Sequence, residues 1–233
     1  MNKLVIIPTY NEKENIEKMI RKVLSLSGDF HMLIVDDGSP DGTGAIVKTV
    51  QKEYPERLNI LERAGKSGLG RAYIAGFKWA LERGYDHIFE MDADFSHDPE
   101  DLIRLYDACT KGADMVVGSR YTRGGKVVNW PWDRIFISKG GALYTKMITW
   151  MPVHDPTAGF VCYSSKVLRS IPLDEVHFVG YAFQIEMKYR AWKLGFKIKE
   201  VPITLKDRRE GVSKMSGNII KEAMYGVWKM RRF

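Results

Sequence analysis

Asp92 and Asp94 stand two residues apart at the end of an apolar run, His87–Met91. On an extended backbone alternate side chains share a face, so both carboxylates point the same way. Such a pair suits Mg²⁺ or Mn²⁺, hard ions held by one or two carboxylates and completed by substrate phosphates and water. It suits zinc poorly, because zinc prefers nitrogen and sulfur. Three more polar clusters close apolar runs: Pro8-Thr9-Tyr10-Asn11-Glu12, Asp36-Asp37-Gly38-Ser39 and Gly118-Ser119-Arg120-Tyr121. Singly, each reads equally well as a loop with a helix cap. Gathered on one rim, their acids would repel one another without a cation. Gly65–Gly70, with Lys66 and Arg71 nearby, is either the lining of a phosphate pocket or a flexible turn. It is not a Walker A loop, since Ile60 stands where the first glycine belongs, and no G-x-G-x-x-G follows the first apolar run.

The elements that must carry these clusters alternate. Short apolar runs at Leu4–Ile7, Met32–Val35, Leu58–Leu61, His87–Met91 and Met115–Ser119 predict buried strands. Helical periodicity covers Asn15–Leu26, Ala45–Tyr54 and Gly70–Arg83, and Asp98-Pro99-Glu100-Asp101 is a strong helix start. Alternation of this kind implies βαβ units and an α/β fold with a mostly parallel, doubly wound sheet, whose ligands bind outside the carboxyl ends of the strands. The second half is less regular. It predicts one or two amphipathic helices over Arg134–Trp150, interrupted at Gly140-Gly141, strands at Phe160–Ser164 and Ile198–Leu205, and a helix at Phe183–Leu194. Residues 1–217 read as the catalytic domain, and residues 218–233 as a basic amphipathic helix with Ile219, Ile220, Ala223, Met224, Val227 and Trp228 on one face.

A chain of 233 residues, 45% hydrophobic and 28% charged, is ordinary for a globular domain and argues against disorder. Two cysteines make neither a disulfide scaffold nor a zinc site, which reads as a reducing compartment. The apolar runs are too short for a spanning helix or a signal peptide, which predicts a cytoplasmic-side chain. The net charge of +7 is uneven: residues 186–233 hold 13 Lys/Arg against 5 Asp/Glu, the rest 23 against 24. That asymmetry points to an anionic partner. Nucleic acid ranks last, because no reading motif accompanies the basic stretch.

The pieces together resemble the family 2 glycosyltransferases of GT-A fold, and within them the dolichyl-phosphate mannose synthase type. The stretches that carry the resemblance are PTYNE at 8–12, VDDGSPDGT at 35–43, GKSGLGRAYIAG at 65–76, MDADFSHDPE at 91–100, GSRY at 118–121, DPTAGF at 155–160, GYAFQIEM at 180–187 and DRREGVSKM at 207–215. The resemblance implies that Pro8, Tyr10, Glu12, Val35 and Asp37 surround the base and ribose of a nucleotide sugar. It implies that Asp92, Ala93 and Asp94 bind metal and diphosphate, with Ser96 where some relatives carry a glutamine near the metal. Arg120, Arg208 and Lys214 would neutralise donor and acceptor phosphates, and Gln184 and Glu186 would lie at the sugar.

The implied reaction moves mannose from GDP-mannose to a polyprenyl (dolichyl) phosphate, with Mg²⁺ or Mn²⁺, in one inverting displacement. Its acceptor oxygen is already anionic and needs little help from a general base. Lys188, Lys193, Lys197, Lys199, Arg208, Arg209 and Lys214 could then attract the lipid phosphate, while 218–233 and the apolar residues of 135–150 meet the membrane surface. Peripheral attachment to the cytoplasmic face is the expected location. A UDP-sugar donor keeps the chemistry and changes the partner. A nucleotidyltransferase would release pyrophosphate instead, and a non-catalytic membrane-recruiting module would have no activity to lose.

Overall fold

The computed structural model describes residues 2–207 and 226–230. Arg208, Arg209, Lys214 and residues 218–225 and 231–233 of the expected terminal helix lie outside the described residues.

Five apolar runs form strands β1 (Lys3–Thr9), β2 (Phe30–Asp36), β3 (Leu58–Glu62), β4 (His87–Glu90) and β5 (Met115–Ser119). The helices between them are α1 (Ile16–Leu24), α2 (Thr43–Gln51), α3 (Leu69–Glu82) and α4 (Asp101–Thr110). Later in the chain come β6 (Lys126–Val128), α5 (Trp132–Thr149), β7 (Val161–Ser164), α6 (Ser165–Ser170), α7 (Tyr181–Lys193), β8 (Ile198–Pro202) and β9 (Thr204–Lys206). The main sheet runs β3-β2-β1-β4-β7-β5-β8 and is parallel except for β7, which runs antiparallel between β4 and β5.

The period-two alternation of β1 divides the core. Leu4 and Ile6 face a cluster with Tyr73, Phe77, Phe183 and Met187, whereas Val5 and Ile7 face Ile16, Ile20, Val47 and Leu102 on the opposite side. Helix α3 lies so close to β1 that a Cβ on Gly76 would sit 2.8 Å from the Ile6 side chain.

Three expectations shift. The run 198–205 is two strands, not one: β8 ends at Pro202 beside β5, and β9 crosses to a separate pair with β6. Proline has no N–H to extend the ladder, and the Pro202 carbonyl is taken by Arg104 at 2.9 Å. Helix α5 runs unbroken through Gly140 and Gly141, since glycine weakens a helix by only about 1 kcal/mol per residue. It stops at Trp150, whose φ of 62° cannot continue it. Asp98 does not cap the helix: its Oδ1 accepts the Glu100 N–H at 3.1 Å within the preceding turn, and α4 begins at Asp101 with Glu100 in the capping position.

In the described part of the terminal segment, Val227 and Met230 pack into the core while Trp228 is exposed. The expected shared face of Val227 and Trp228 is therefore split. Among the described residues no helix is long and apolar enough to cross a membrane.

Candidate active site

The carboxyl ends of β1 and β2 build a polar shelf from short-range bonds. Pro8 pairs with Val35 in the ladder, and Asp37 N–H donates to the Thr9 carbonyl at 3.0 Å. Asp36 is buried and already engaged: Thr9 Oγ1 and Ser39 Oγ donate to it at 2.9 and 2.6 Å. Asp37 faces Arg63 across 2.7 Å. Burial raises its pKa above the ordinary carboxylate value, with the Arg63 charge pulling the other way. Arg63 also donates to Ser67 of the glycine-rich stretch. Lys66 sits 4.8 Å from the Tyr10 ring centre, so that stretch folds over the shelf. Glu12 holds the turn into α1 through its backbone, accepting from Asn15 and Ile16 and donating to Thr43. The Val35 side chain is fully buried in the core, so only its backbone borders the shelf.

Just past β4, Asp92 is half-buried while Ala93 and Asp94 are buried. Asp94 Oδ1 accepts the Ser96 N–H at 3.0 Å, and Phe95 at φ 57° turns the chain between them. Among the described residues no group of three or more His, Cys, Asp or Glu is placed to hold a metal. The oxygen donors that Asp92 and Asp94 offer are of the type that hard ions such as Mg²⁺ and Mn²⁺ take.

Asp92 and Ser96 open into a cavity of about 220 Å³ that α5 walls on one side. Arg120 lines it, with Nε and Nη2 on Asp155 at 2.7 and 2.5 Å and a further bond to Thr157. Asp155 is fully buried and its N–H is held by Glu200 at 3.0 Å. Arg134 enters from α5, 3.0 Å from Asp207, with its guanidinium 3.8 Å from the Trp130 ring centre. The same cavity is also lined by Ile137, Tyr144, Ile185, Ile203, Leu205 and Val227.

The helix α7 supplies the floor. Gln184 lines the cavity and is buried. Glu186 does not reach it: its carboxylate accepts the His177 and Phe178 N–H groups at 3.0 and 3.1 Å and pairs with Arg190 at 2.8 Å. That geometry gives Glu186 a loop-anchoring position in place of the expected sugar contact. Lys188 is fully buried, so it is no surface attractant for lipid phosphate. Its Nζ donates to the Ala158 carbonyl at 2.7 Å, and Glu90, buried at the end of β4, supplies the opposing charge. Burial lowers Lys188 to about 8 and raises Glu90 to about 7, while each partner's charge resists its neighbour's shift.

Sequence reasoning missed Arg63, Arg134 and the Glu90–Lys188 pair. A charged residue inside an apolar strand and another inside a helix are the only signals the pair leaves, and nothing in the spacing joins positions 98 residues apart. Arg120, Asp92, Ser96 and Gln184 do come together on one cavity.

Residues 4–171 match the family described as Glycosyl transferase family 2. The chain is 50% identical over 230 residues to the polyprenol monophosphomannose synthase of Mycolicibacterium smegmatis, covering 98% of this chain and 87% of that one. It is 48% identical over 227 residues to the undecaprenyl-phosphate mannosyltransferase of Micrococcus luteus, covering 97% and 93%. Among solved structures, a glucosyl-3-phosphoglycerate synthase from Mycobacterium tuberculosis, complexed with Mn²⁺, UDP and glucosyl-3-phosphoglycerate, superposes with a TM-score of 0.72 at 18% identity, covering 98% of this chain and 79% of that one. A Pyrobaculum calidifontis mannosyltransferase complexed with GDP-Man and Mn²⁺ gives 0.63 at 15%, covering 98% and 69%. The chain belongs to glycosyl transferase family 2, and it is a glycosyltransferase with the GT-A α/β fold.

Proposed function

We propose that this family 2 glycosyltransferase moves mannose from GDP-mannose to a polyprenyl phosphate. One observation carries the reading: a single cavity is lined by Asp92, Arg120 and Arg134 together with the apolar side chains of Ile137, Ile185 and Leu205. A phosphate on a long apolar chain matches both kinds of lining. The names of the two mannosyl-transferring relatives support the sugar and the acceptor class, and the GDP-Man complex of a fold neighbour is compatible with the donor.

In this reading Pro8, Tyr10, Glu12, Asp37 and the Val35 backbone border the nucleotide, and Asp37 with Arg63 reads the base or ribose edge. Asp92 and Asp94 would hold Mg²⁺ or Mn²⁺, with Ala93 and Ser96 beside them; when bound, the ion neutralises the charge of the departing diphosphate. Arg120, fixed by Asp155 on the cavity that Asp92 also lines, would draw the acceptor phosphate toward the sugar carbon. Because that phosphate oxygen is already anionic, attack needs no proton removal, and one displacement inverts the anomeric centre. Arg208 and Lys214, outside the described residues, are proposed to complete the cationic side.

The lipid must leave a membrane to enter. Trp132, Phe136 and Trp150 of the α5 region are 87, 80 and 76% exposed, and Lys139 and Lys146 lie exposed on the same helix. That face is proposed to rest on an anionic membrane surface.

The test offers labelled GDP-mannose, UDP-glucose and UDP-N-acetylglucosamine separately, with a short polyprenyl phosphate and Mg²⁺ or Mn²⁺. Label is counted in the organic phase. Label from GDP-mannose alone is expected. Label from a UDP-sugar would overturn the donor, and none from any donor would overturn the acceptor.

A further inference from the structure

Tyr73 Oη on α3, Glu90 Oε2 on β4 and Gln184 Nε2 on α7 are among the buried side-chain atoms with no partner in hydrogen-bond geometry. Of these three residues only Gln184 also lines the cavity. Its amide can be placed only one way round. Lys188 Nζ, which can only donate, lies 3.2 Å from Gln184 Oε1 and 3.1 Å from the Gln184 carbonyl. Turning the amide over would set an NH₂ against an ammonium. On the other edge lies the Glu90 carboxyl, whose pKa burial raises and the Gln184 amide pulls back. The ammonium on the oxygen therefore sets the amide's polarity and leaves its nitrogen on the opposite edge. Gln184 is 2% exposed, Glu90 and Lys188 not at all, so water cannot relax this arrangement. Nε2 lies 3.7 Å from the place a Cβ on Gly159 would occupy, and Gly159 lines the same cavity as Asp92 and Arg120. The amide nitrogen carries two hydrogens, and Glu90 can take at most one.

We infer that Lys188 is a positioning residue for the transfer reaction: it holds the Gln184 amide so that an N–H is presented to a hydroxyl oxygen of the donor sugar. The inference rests on the glycosyl-transfer reading above. Lys188 itself touches no substrate, because its ammonium is already spent on two carbonyls and an amide oxygen. A neutral N–H beside Gly159 on this cavity suits a hydroxyl, while the phosphates are left to Arg120.

Binding of GDP and of GDP-mannose, each with Mn²⁺, is measured by calorimetry on the full chain and on Q184M, E90Q and K188M/E90Q, with thermal unfolding of each. Glu90 is neutralised along with Lys188 because a buried carboxylate stripped of its cation destabilises the fold. The preference for GDP-mannose over GDP is expected to fall about fivefold to tenfold in Q184M and in K188M/E90Q, the scale of one neutral hydrogen bond. GDP affinity stays at the wild-type value in both. E90Q alone keeps the preference, since its amide oxygen can replace the carboxylate as acceptor. Adding Q184M to K188M/E90Q gives no further loss. A wild-type preference in folded K188M/E90Q overturns the inference, as does an equal weakening of GDP and GDP-mannose, which would mark Lys188 as acting on the diphosphate. If K188M/E90Q does not fold, K188L/E90Q takes its place with the same two readings, and an unchanged preference in Q184M overturns the inference in either case. Failure of the wild type to use GDP-mannose in the transfer assay overturns the proposed donor, and is read separately from every variant.

Discussion

The shelf at the ends of β1 and β2, proposed as the nucleotide side, and the surroundings of the cavity, proposed as the acceptor side, are organised by different physics. Around β1 and β2, each polar group is fixed by a neighbour at the end of the same or the adjacent parallel strand, as with Thr9, Asp36 and Ser39. Around β5, β7 and α7, buried charges far apart in the chain do the fixing: Arg120 is paired with Asp155, and Lys188 holds the Ala158 carbonyl and the Gln184 amide with the Glu90 charge nearby. The first arrangement follows from the strand-loop-helix geometry and resists single substitutions. The second depends on two partners being present together, because removing either leaves an unpaired charge out of reach of water.

The largest expected effect lies where the two sides meet. D94A should reduce transfer by about a thousandfold or more, the scale of losing a principal charge-stabilising group, with a cooperative unfolding transition retained. Activity surviving in the presence of Mg²⁺ would remove Asp94 from the metal site. Next, D155N should separate the sides: it leaves Arg120 buried without its carboxylate, lowering stability by about 3–5 kcal/mol in urea unfolding and transfer with it. The counterpart on the nucleotide side, S39A, should cost only about 1 kcal/mol, as one neutral partner of Asp36 is lost while Thr9 remains. Similar losses for the two would erase the contrast.

A smaller effect concerns pH. The folded state gives up the Lys188 proton near 8, while the unfolded chain holds it to about 10.5. The unfolded state therefore binds more protons in that window, and stability from this group rises with pH there, by at most about 1.4 kcal/mol per pH unit. Urea midpoints at pH 8 and 10 should show the wild type gaining on K188M/E90Q; parallel curves would deny the shift. The subtlest change is F136D, which should reduce sedimentation with anionic vesicles while transfer to a short, detergent-dispersed polyprenyl phosphate is preserved. Unaltered vesicle binding would remove α5 from the membrane contact.

Much of the nucleotide side was legible before any coordinates. Apolar runs ending in Asp36-Asp37 and Asp92-Ala93-Asp94 place carboxylates at strand ends, because a buried parallel strand is a continuous apolar run and its loop must be polar. The acceptor side was legible only in part. Arg120 could be named, but not its grip on Asp155, since residues 35 apart carry no periodic signal of their contact. Glu186 and Lys188 sit within one helical stretch, and the same pattern allows exposure or burial; packing of α7 under the cavity buried both and turned Glu186 to the 177–178 amides.

The order of strands and helices, the carboxylate rim and the family were determined by the sequence, because periodicity, turn chemistry and motif order are local properties of the chain. Tertiary structure alone decided that β7 runs antiparallel between β4 and β5, that the 198–205 run divides between two sheets, and that Lys188 lies buried under the cavity rather than on a basic surface. Those outcomes depend on which distant segments exclude water from one another, and no short stretch of sequence encodes that.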